Sequence, residues 1–130
     1  MIYIKMYIIA FIVFLIIDAI WLGLIAKNLY QSEIGHLMTD KPNFIAAGIF
    51  YLLFIGGLIY FVINPAISTG DITKLIISAA VFGFMTYATY DLTNLATLKD
   101  WPIKVTIIDL IWGTSVSTVV SYVTYIIYKL

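Results

Sequence analysis

The chain has 130 residues, of which 63% are hydrophobic and 11% are charged, and its formal net charge is zero. A soluble domain of this length would need more polar surface around its core, so we expect an all-α membrane protein. The absence of cysteine excludes disulfide bonds and thiolate sites. The seven basic residues are scattered lysines, which excludes a surface built to bind nucleic acid.

Four apolar stretches are long enough to cross a bilayer, which takes roughly 20 residues of helix. The predicted spans are residues 3–26, 44–63, 72–95 and 103–127. They predict one domain, residues 1–130, in the form of a compact bundle of four antiparallel transmembrane helices. An even number of spans places both termini on the same side of the membrane.

Turn-forming residues separate the predicted spans. The polar run 40–43 precedes the second span, and Asn64-Pro65 is expected to end it at Ile63 because proline disfavours helix at the preceding residue. Gly70-Asp71 predicts a turn before the third span. Pro102 suits the first position of the fourth helix.

Asp18, Asp91 and Asp109 lie inside the predicted spans. At about 1.5 Å of rise per residue, all three fall in the half of the membrane nearer the connections 27–43 and 96–102. An ionisable group in hydrocarbon costs at least about 2.5 kcal/mol and usually marks a functional site. We therefore predict that they point into the bundle as the acids of one site. Alternatively they are structural, either protonated or paired with Lys27 or Lys104.

Four further residues are predicted to contact a substrate, because residues three or four apart share a helix face. Trp21 follows Asp18 by three positions, and Trp112 follows Asp109 by three. Tyr87 and Asn94 lie one turn on either side of Asp91. These side chains are expected to line the site, together with its acids.

The first and fourth spans contain a short echo of one another. Asp18-Ala-Ile-Trp21 corresponds to Asp109-Leu-Ile-Trp112, in which Gly113 leaves space for close approach. The second span has no ionisable residue and is expected to be scaffold. Its small residues favour close helix packing: Ala46, Ala47, Gly48, Gly56 and Gly57.

Other polar and aromatic residues have structural interpretations. Trp101 is expected at the membrane interface, where tryptophan is enriched. The hydroxyl residues between Thr114 and Thr124 are expected to form hydrogen bonds between helices. His36, the only histidine, is expected to be a solvated loop residue near Glu33.

Several of these motifs occur together in a known family. The segments Asp18–Gly23, Pro42–Phe44, Tyr90–Leu98 and Trp101–Gly113 resemble the bacterial membrane family of domain of unknown function 2177. The resemblance extends over essentially the whole chain. It implies a four-helix integral protein of the bacterial inner membrane and no established activity.

One functional hypothesis is a protein that binds or modifies a membrane lipid, or another amphiphile, near the headgroup level. Paired carboxyl groups in different environments can donate and accept protons, so the protein could be an enzyme. Two or three aspartates with Asn94 could instead hold a hard cation such as Mg²⁺.

Two alternatives belong to other classes of protein. The first is a small homodimeric transporter coupled to protons or cations, for which the echo between the first and fourth spans would reflect pseudo-symmetry. The second is a structural or regulatory membrane subunit whose aspartates pair with lysines of a partner protein.

Overall fold

The computed structural model describes residues 2–130, and the regular structure in this part of the chain is helical. The α-helices are α1 (Ile2–Ile20), α2 (Lys27–Ile34), α3 (Phe44–Leu58), α4 (Asn64–Thr69), α5 (Ile72–Thr97) and α6 (Ile103–Lys129). A π-helical turn, Trp21–Ile25, extends α1, and another, Ile59–Ile63, joins α3 to α4. A short 3₁₀ turn, Gly35–Leu37, follows α2.

Four helical segments are long and apolar enough to cross a membrane, which confirms the predicted all-α class with four helices of transmembrane length. They are Tyr3–Ile25, Phe44–Thr69, Ile72–Thr97 and Ile103–Lys129. Large apolar side chains remain exposed on their outer faces, such as Ile45 at 78% and Leu53 at 70%. An exposed apolar surface of this extent fits contact with lipid tails.

The second spanning segment continues to Thr69, six residues beyond the predicted end at Ile63. The π-helical turn before Pro65 makes this continuation possible. The amide of Asn64 donates to the carbonyl of Ile59, five residues back, and Pro65 then occupies the first turn of α4. Proline is tolerated there because a backbone N–H in the first turn of a helix would have no intrahelical partner. Gly70, with φ of 71°, ends the helix in the left-handed conformation.

The closest helix contact is between α5 and α6. Gly83 lies directly against the carbonyl of Gly113 and the side chain of Ser117, so a Cβ atom has no space there. Further along, the carbonyl of Asp91 accepts a hydrogen bond from Thr106 at 3.5 Å. The contacts therefore run in opposite directions along the two helices, and α5 and α6 form one wall of the bundle.

The small residues of α3 contribute less to packing than predicted. A Cβ atom at Gly57 would lie 2.6 Å from the ring of Phe82 on α5, but one at Gly48 would meet nothing within 4 Å. The contacts between this segment and α5 are concentrated in the π-helical turn Ile59–Ile63 rather than in α3 itself. As a result, α3 and α5 separate toward Phe44 and leave a cavity between them.

The hydroxyl groups between Thr114 and Thr124 do not form the predicted bonds between helices. Thr114, Ser115 and Thr118 donate to carbonyls four residues back in their own helix. Three other hydroxyls are buried and have no hydrogen-bond partner among residues 2–130: Ser117, Ser121 and Thr124. A hydroxyl within an isolated spanning helix can bond its own backbone, which removes the need for a second helix.

We predict that Gly83→Ala destabilises the protein by about 1–3 kcal/mol, because the added methyl group overpacks the contact between α5 and α6. Gly48→Ala is the matched control, since the same methyl group would meet open space there. Alanine favours helix over glycine by about 1 kcal/mol, so the control should be neutral or stabilising. Thermal unfolding of both variants in the same detergent measures the difference. Equal melting temperatures would show that the close contact is not what requires glycine.

Candidate functional site

The three aspartates predicted as site acids all lie inside the bundle. Asp18 on α1 is 7% exposed, Asp91 on α5 is fully buried, and Asp109 on α6 is 6% exposed. Their inward orientation follows from the cost of placing a carboxyl group against hydrocarbon. A carboxyl group buried to this degree is costly unless a donor hydrogen-bonds to it. The three aspartates differ in the donors that they contact.

Asp18 receives its hydrogen bond from the second span. Tyr51 on α3 donates its hydroxyl to Asp18 Oδ2 at 2.8 Å. The indole of Trp112 on α6 approaches the same carboxyl group. Asp18 is thus held between α3 and α6, and α3 forms part of the site rather than the scaffold that we expected.

Asp109 receives its hydrogen bond from the connection that follows the first span. The hydroxyl of Tyr30, on α2, donates to Asp109 Oδ1 and accepts from Trp21 Nε1 at 3.2 Å. Burial raises the pKa of the Tyr30 phenol well above its ordinary value. The hydrogen bond to Asp109 and the negative charge of that carboxyl group raise this pKa further. Tyr30 therefore acts as a neutral donor to the aspartate.

Asp91 has no such donor. Neither of its carboxyl oxygens accepts a hydrogen bond from any residue of the described chain, 2–130. The carboxyl group of Asp109 lies close to it. Two carboxyl groups in contact can satisfy one another only through a proton, since a buried charge without a partner costs several kcal/mol. The Asp91–Asp109 pair is therefore a place where a proton can be held or passed.

The two tryptophans of the sequence echo meet face to face. The rings of Trp21 and Trp112 are parallel within 6°, and their centroids are 4.3 Å apart. Each tryptophan also contacts, directly or through Tyr30, the aspartate of the other motif. Trp112 approaches Asp18 directly, whereas Trp21 donates to the tyrosine that holds Asp109. The echo is thus a pair of linked motifs across the contact between α1 and α6.

These groups surround a cavity of about 420 Å³. Its volume is typical of small-molecule sites, which are mostly apolar with a few polar groups. It lies between α3 and α5 where the two helices separate, and the exposed side chains of Leu22, Phe50 and Tyr90 form its rim. The polar and aromatic groups of its wall are Asp18, Asp109, Trp21, Trp112, Tyr30, Tyr51, Tyr87, Tyr90, Phe50 and Thr86.

The structure brings together most of the residues that were predicted to form the site. Two predicted members lie elsewhere. Asp91 stands behind Asp109 rather than in the cavity wall, and Asn94 is also outside the wall, where it approaches Tyr90. Tyr87 lies within electrostatic range of all three carboxyl groups and rests directly on Gly113, which confirms the close approach expected at that glycine. The chemical roles of all seven residues stay predictions.

Seven wall residues were not among the predicted ones. Four of them carry hydroxyl groups, Tyr30, Tyr51, Thr86 and Tyr90, and three are apolar, Leu22, Ala47 and Phe50. Tyr51 could have been identified from the sequence, because it is the only residue of Phe44–Leu58 with a hydroxyl or charged side chain. Tyr30 could not have been identified in this way, since it lies in a connection of mixed polarity. Nothing in the local pattern shows that this connection folds back over the acids.

Two contacts between acidic and basic side chains link the connection containing Tyr30 to the segment 100–104. Lys104 Nζ lies 3.5 Å from Glu33, and His36 Nε2 lies 3.8 Å from Asp100. The side chain of His36 is 53% exposed, as expected for a loop residue, but its acidic neighbour is Asp100 rather than Glu33. Exposed pairs of this kind contribute little to stability.

Trp101 is buried, with 8% of its surface exposed, and the prediction of an interfacial tryptophan was therefore wrong. Its indole donates to Thr106 at 3.0 Å, and its ring packs edge-on against Tyr90. Burial is favourable because the turn offers the indole N–H a partner as well as an apolar surface. Trp101 thereby supports the rim of the cavity from outside.

The carboxyl groups do not form a cage for a metal ion. Among residues 2–130, no group of three or more histidine, cysteine, aspartate or glutamate side chains is close enough to hold one. The adjacent acids are only Asp91 and Asp109, and Asn94 does not join them in the cavity wall. A Mg²⁺ site built from three acids is therefore absent from residues 2–130, and the version with two aspartates and Asn94 stays a prediction.

Comparison with known proteins gives one match. A family model described as "Predicted membrane protein (DUF2177)" matches residues 3–126, which include nearly all of the four spanning segments. No curated protein and no solved structure matches the chain.

We predict that Tyr30→Phe destabilises the protein by about 1–3 kcal/mol at neutral pH, because it removes the donor to a buried carboxyl group. The raised pKa of Tyr30 means that the unfolded state ionises first. The contribution of Tyr30 is thus fully present below the ordinary tyrosine pKa of about 10 and is lost as the pH rises above it.

Denaturant or thermal unfolding from pH 7 upward measures this contribution as the difference between the parent protein and Tyr30→Phe. The control is Tyr60→Phe, since Tyr60 is 72% exposed. A difference that stays constant through the alkaline range would contradict the proposed bond to Asp109.

Proposed function

The chain belongs to the predicted membrane protein family DUF2177. We propose that this membrane protein binds or modifies a lipid or another amphiphile in its cavity. The family membership and the four spanning segments establish a multi-pass membrane protein. The proposal adds the ligand class, and the cavity between α3 and α5 supports it.

The observation that carries the proposal is the change in chemistry across this cavity. Its rim consists of exposed apolar or aromatic side chains on membrane-spanning helices, such as Leu22 and Phe50. Its inner end presents the carboxyl groups of Asp18 and Asp109. A molecule with an apolar tail and a polar head matches both ends at once, because the tail can remain between the helices while the head meets the acids.

The Asp91–Asp109 pair supports modification as well as binding. Only Asp109 lines the cavity, whereas Asp91 is fully buried behind it, so the two acids have different environments. General acid–base catalysis uses such differences to separate a proton donor from an acceptor. Tyr30 adds a hydroxyl that bridges Trp21 and Asp109 at the same place.

A second candidate function is transport coupled to protons, in a homodimer. The three buried hydroxyls of α6 without partners favour it: Ser117, Ser121 and Thr124. They lie on the helix that carries Asp109, at spacings that keep them on one face. A row of this kind could carry protons away from the acids. Proteoliposomes with an imposed pH gradient would test it, and proton flux that Asp109→Asn abolishes would favour the transporter.

We predict that Ala47→Phe lowers the amount of lipid that copurifies with the protein, because the phenyl ring would fill the cavity that Ala47 lines. Ala46→Phe is the matched control, since Ala46 is exposed and lies outside the wall. Native mass spectrometry of the protein released from micelles measures bound lipid in both variants. Equal lipid retention in the two variants, or none in the parent protein, would contradict the proposal.

We also predict that Asp109→Asn abolishes function while the protein still inserts and folds. Asparagine keeps the size of aspartate and costs less than a charge in hydrocarbon, so stability should hold or rise. Asp40→Asn, in an exposed loop, is the control. Melting temperature is measured beside the lipid composition of cells that express each variant. Loss of folding together with unchanged lipid composition would identify the carboxyl groups as structural.

A further inference from the structure

The charge inside the cavity is not balanced by the protein. All seven lysines and His36 are exposed, and the chain has no arginine. None of these residues lines the cavity, whose wall contains the carboxyl groups of Asp18 and Asp109. Buried carboxylates normally pair with a cation, because desolvation otherwise makes the charge costly. The missing partner therefore has to come from a proton or from the ligand.

Asp91 strengthens this argument independently. It is fully buried, both of its carboxyl oxygens lack a donor within residues 2–130, and it lies behind Asp109. Two adjacent acids can share one proton, but the pair then still carries one negative charge. A positive group placed at Asp109 would stabilise both members of the pair.

The remaining wall of the cavity also suits a cation. Four tyrosine rings and two tryptophan rings face the space around the acids: Tyr30, Tyr51, Tyr87, Tyr90, Trp21 and Trp112. The face of an aromatic ring attracts a cation, and sites that recognise ammonium groups combine several such rings. An anionic head such as a phosphate would instead meet the two carboxyl groups of the wall, with no basic side chain to balance its charge.

We propose that the cavity selects an amphiphile whose head is an ammonium group, which Asp18 and Asp109 bind between the aromatic rings. This inference rests on the proposed function and adds the charge of the head. The ammonium can belong to a membrane lipid or to a free amine, and in either case the recognition chemistry is the same.

Three probes with one tail and different heads test the inference: decylammonium, decyl phosphate and decanol. Each is titrated into the protein in maltoside micelles, and fluorescence reports binding because Trp21 and Trp112 line the cavity. We expect decylammonium to bind at least about tenfold more tightly than either of the other probes, which is the range of a desolvated cation–aromatic contact. Methylammonium, which has the head without the tail, separates a free amine from a lipid as the source.

Matched variants test which residues cause the preference for decylammonium. Asp18→Asn and Asp109→Asn should each reduce the preference for decylammonium over decanol, whereas Asp40→Asn should leave it unchanged. Ala47→Phe should weaken binding of all tailed probes, because it fills the space for the tail. Thermal unfolding of each variant in the same micelles shows whether it is folded, and the comparison of heads in the parent protein needs no variant.

The outcomes separate the inference from the proposed function. If decanol or decyl phosphate binds as tightly as decylammonium and Ala47→Phe weakens it, the cavity takes amphiphiles but the charge inference is overturned. If no tailed probe binds the parent protein, both fail. If methylammonium binds as tightly as decylammonium, the ammonium inference holds and the tail is not part of recognition.

Discussion

Burial of three carboxyl groups within an apolar helix bundle is the constraint on which the rest of the structure depends. Each group loses its hydration and has to recover donors from the protein, since the surrounding hydrocarbon offers none. Asp18 and Asp109 obtain them from tyrosines on α3 and α2. These two hydrogen bonds draw the second span and the first connection toward α1 and α6. The cavity is the space that remains between the groups thus assembled.

The stacked tryptophans explain how α1 and α6 share one site. Trp21 and Trp112 stack in parallel, and each supports the aspartate that belongs to the other helix. A change to one tryptophan would therefore disturb both acids. Asp91 contrasts with them, because it lies behind Asp109 without a donor of its own. An acid in this position can be satisfied only by a proton or by a positive charge nearby.

Several expectations failed where a residue could satisfy its polar group in more than one way. Trp101 would suit a membrane interface, but it packs on Tyr90 and bonds Thr106 within the α5–α6 connection. The hydroxyls of α6 were expected to bridge helices, but three of them bond their own backbone. Pro65 was expected to end the second span, but a π-helical turn accommodates it. In each case the local pattern allowed both outcomes, and the neighbouring elements decided between them.

The sequence by itself determined the four spanning helices, because length and hydropathy are local properties that decide whether a segment can enter hydrocarbon. It also indicated that Asp18, Asp91 and Asp109 would be buried, since a carboxyl group facing lipid is costly. Only the tertiary structure decided which donors meet them. Tyr51 is 33 residues from Asp18, and Tyr30 is 79 residues from Asp109. Contacts across such separations depend on how the helices pack and on where α3 and α5 diverge, and no local pattern encodes either of these.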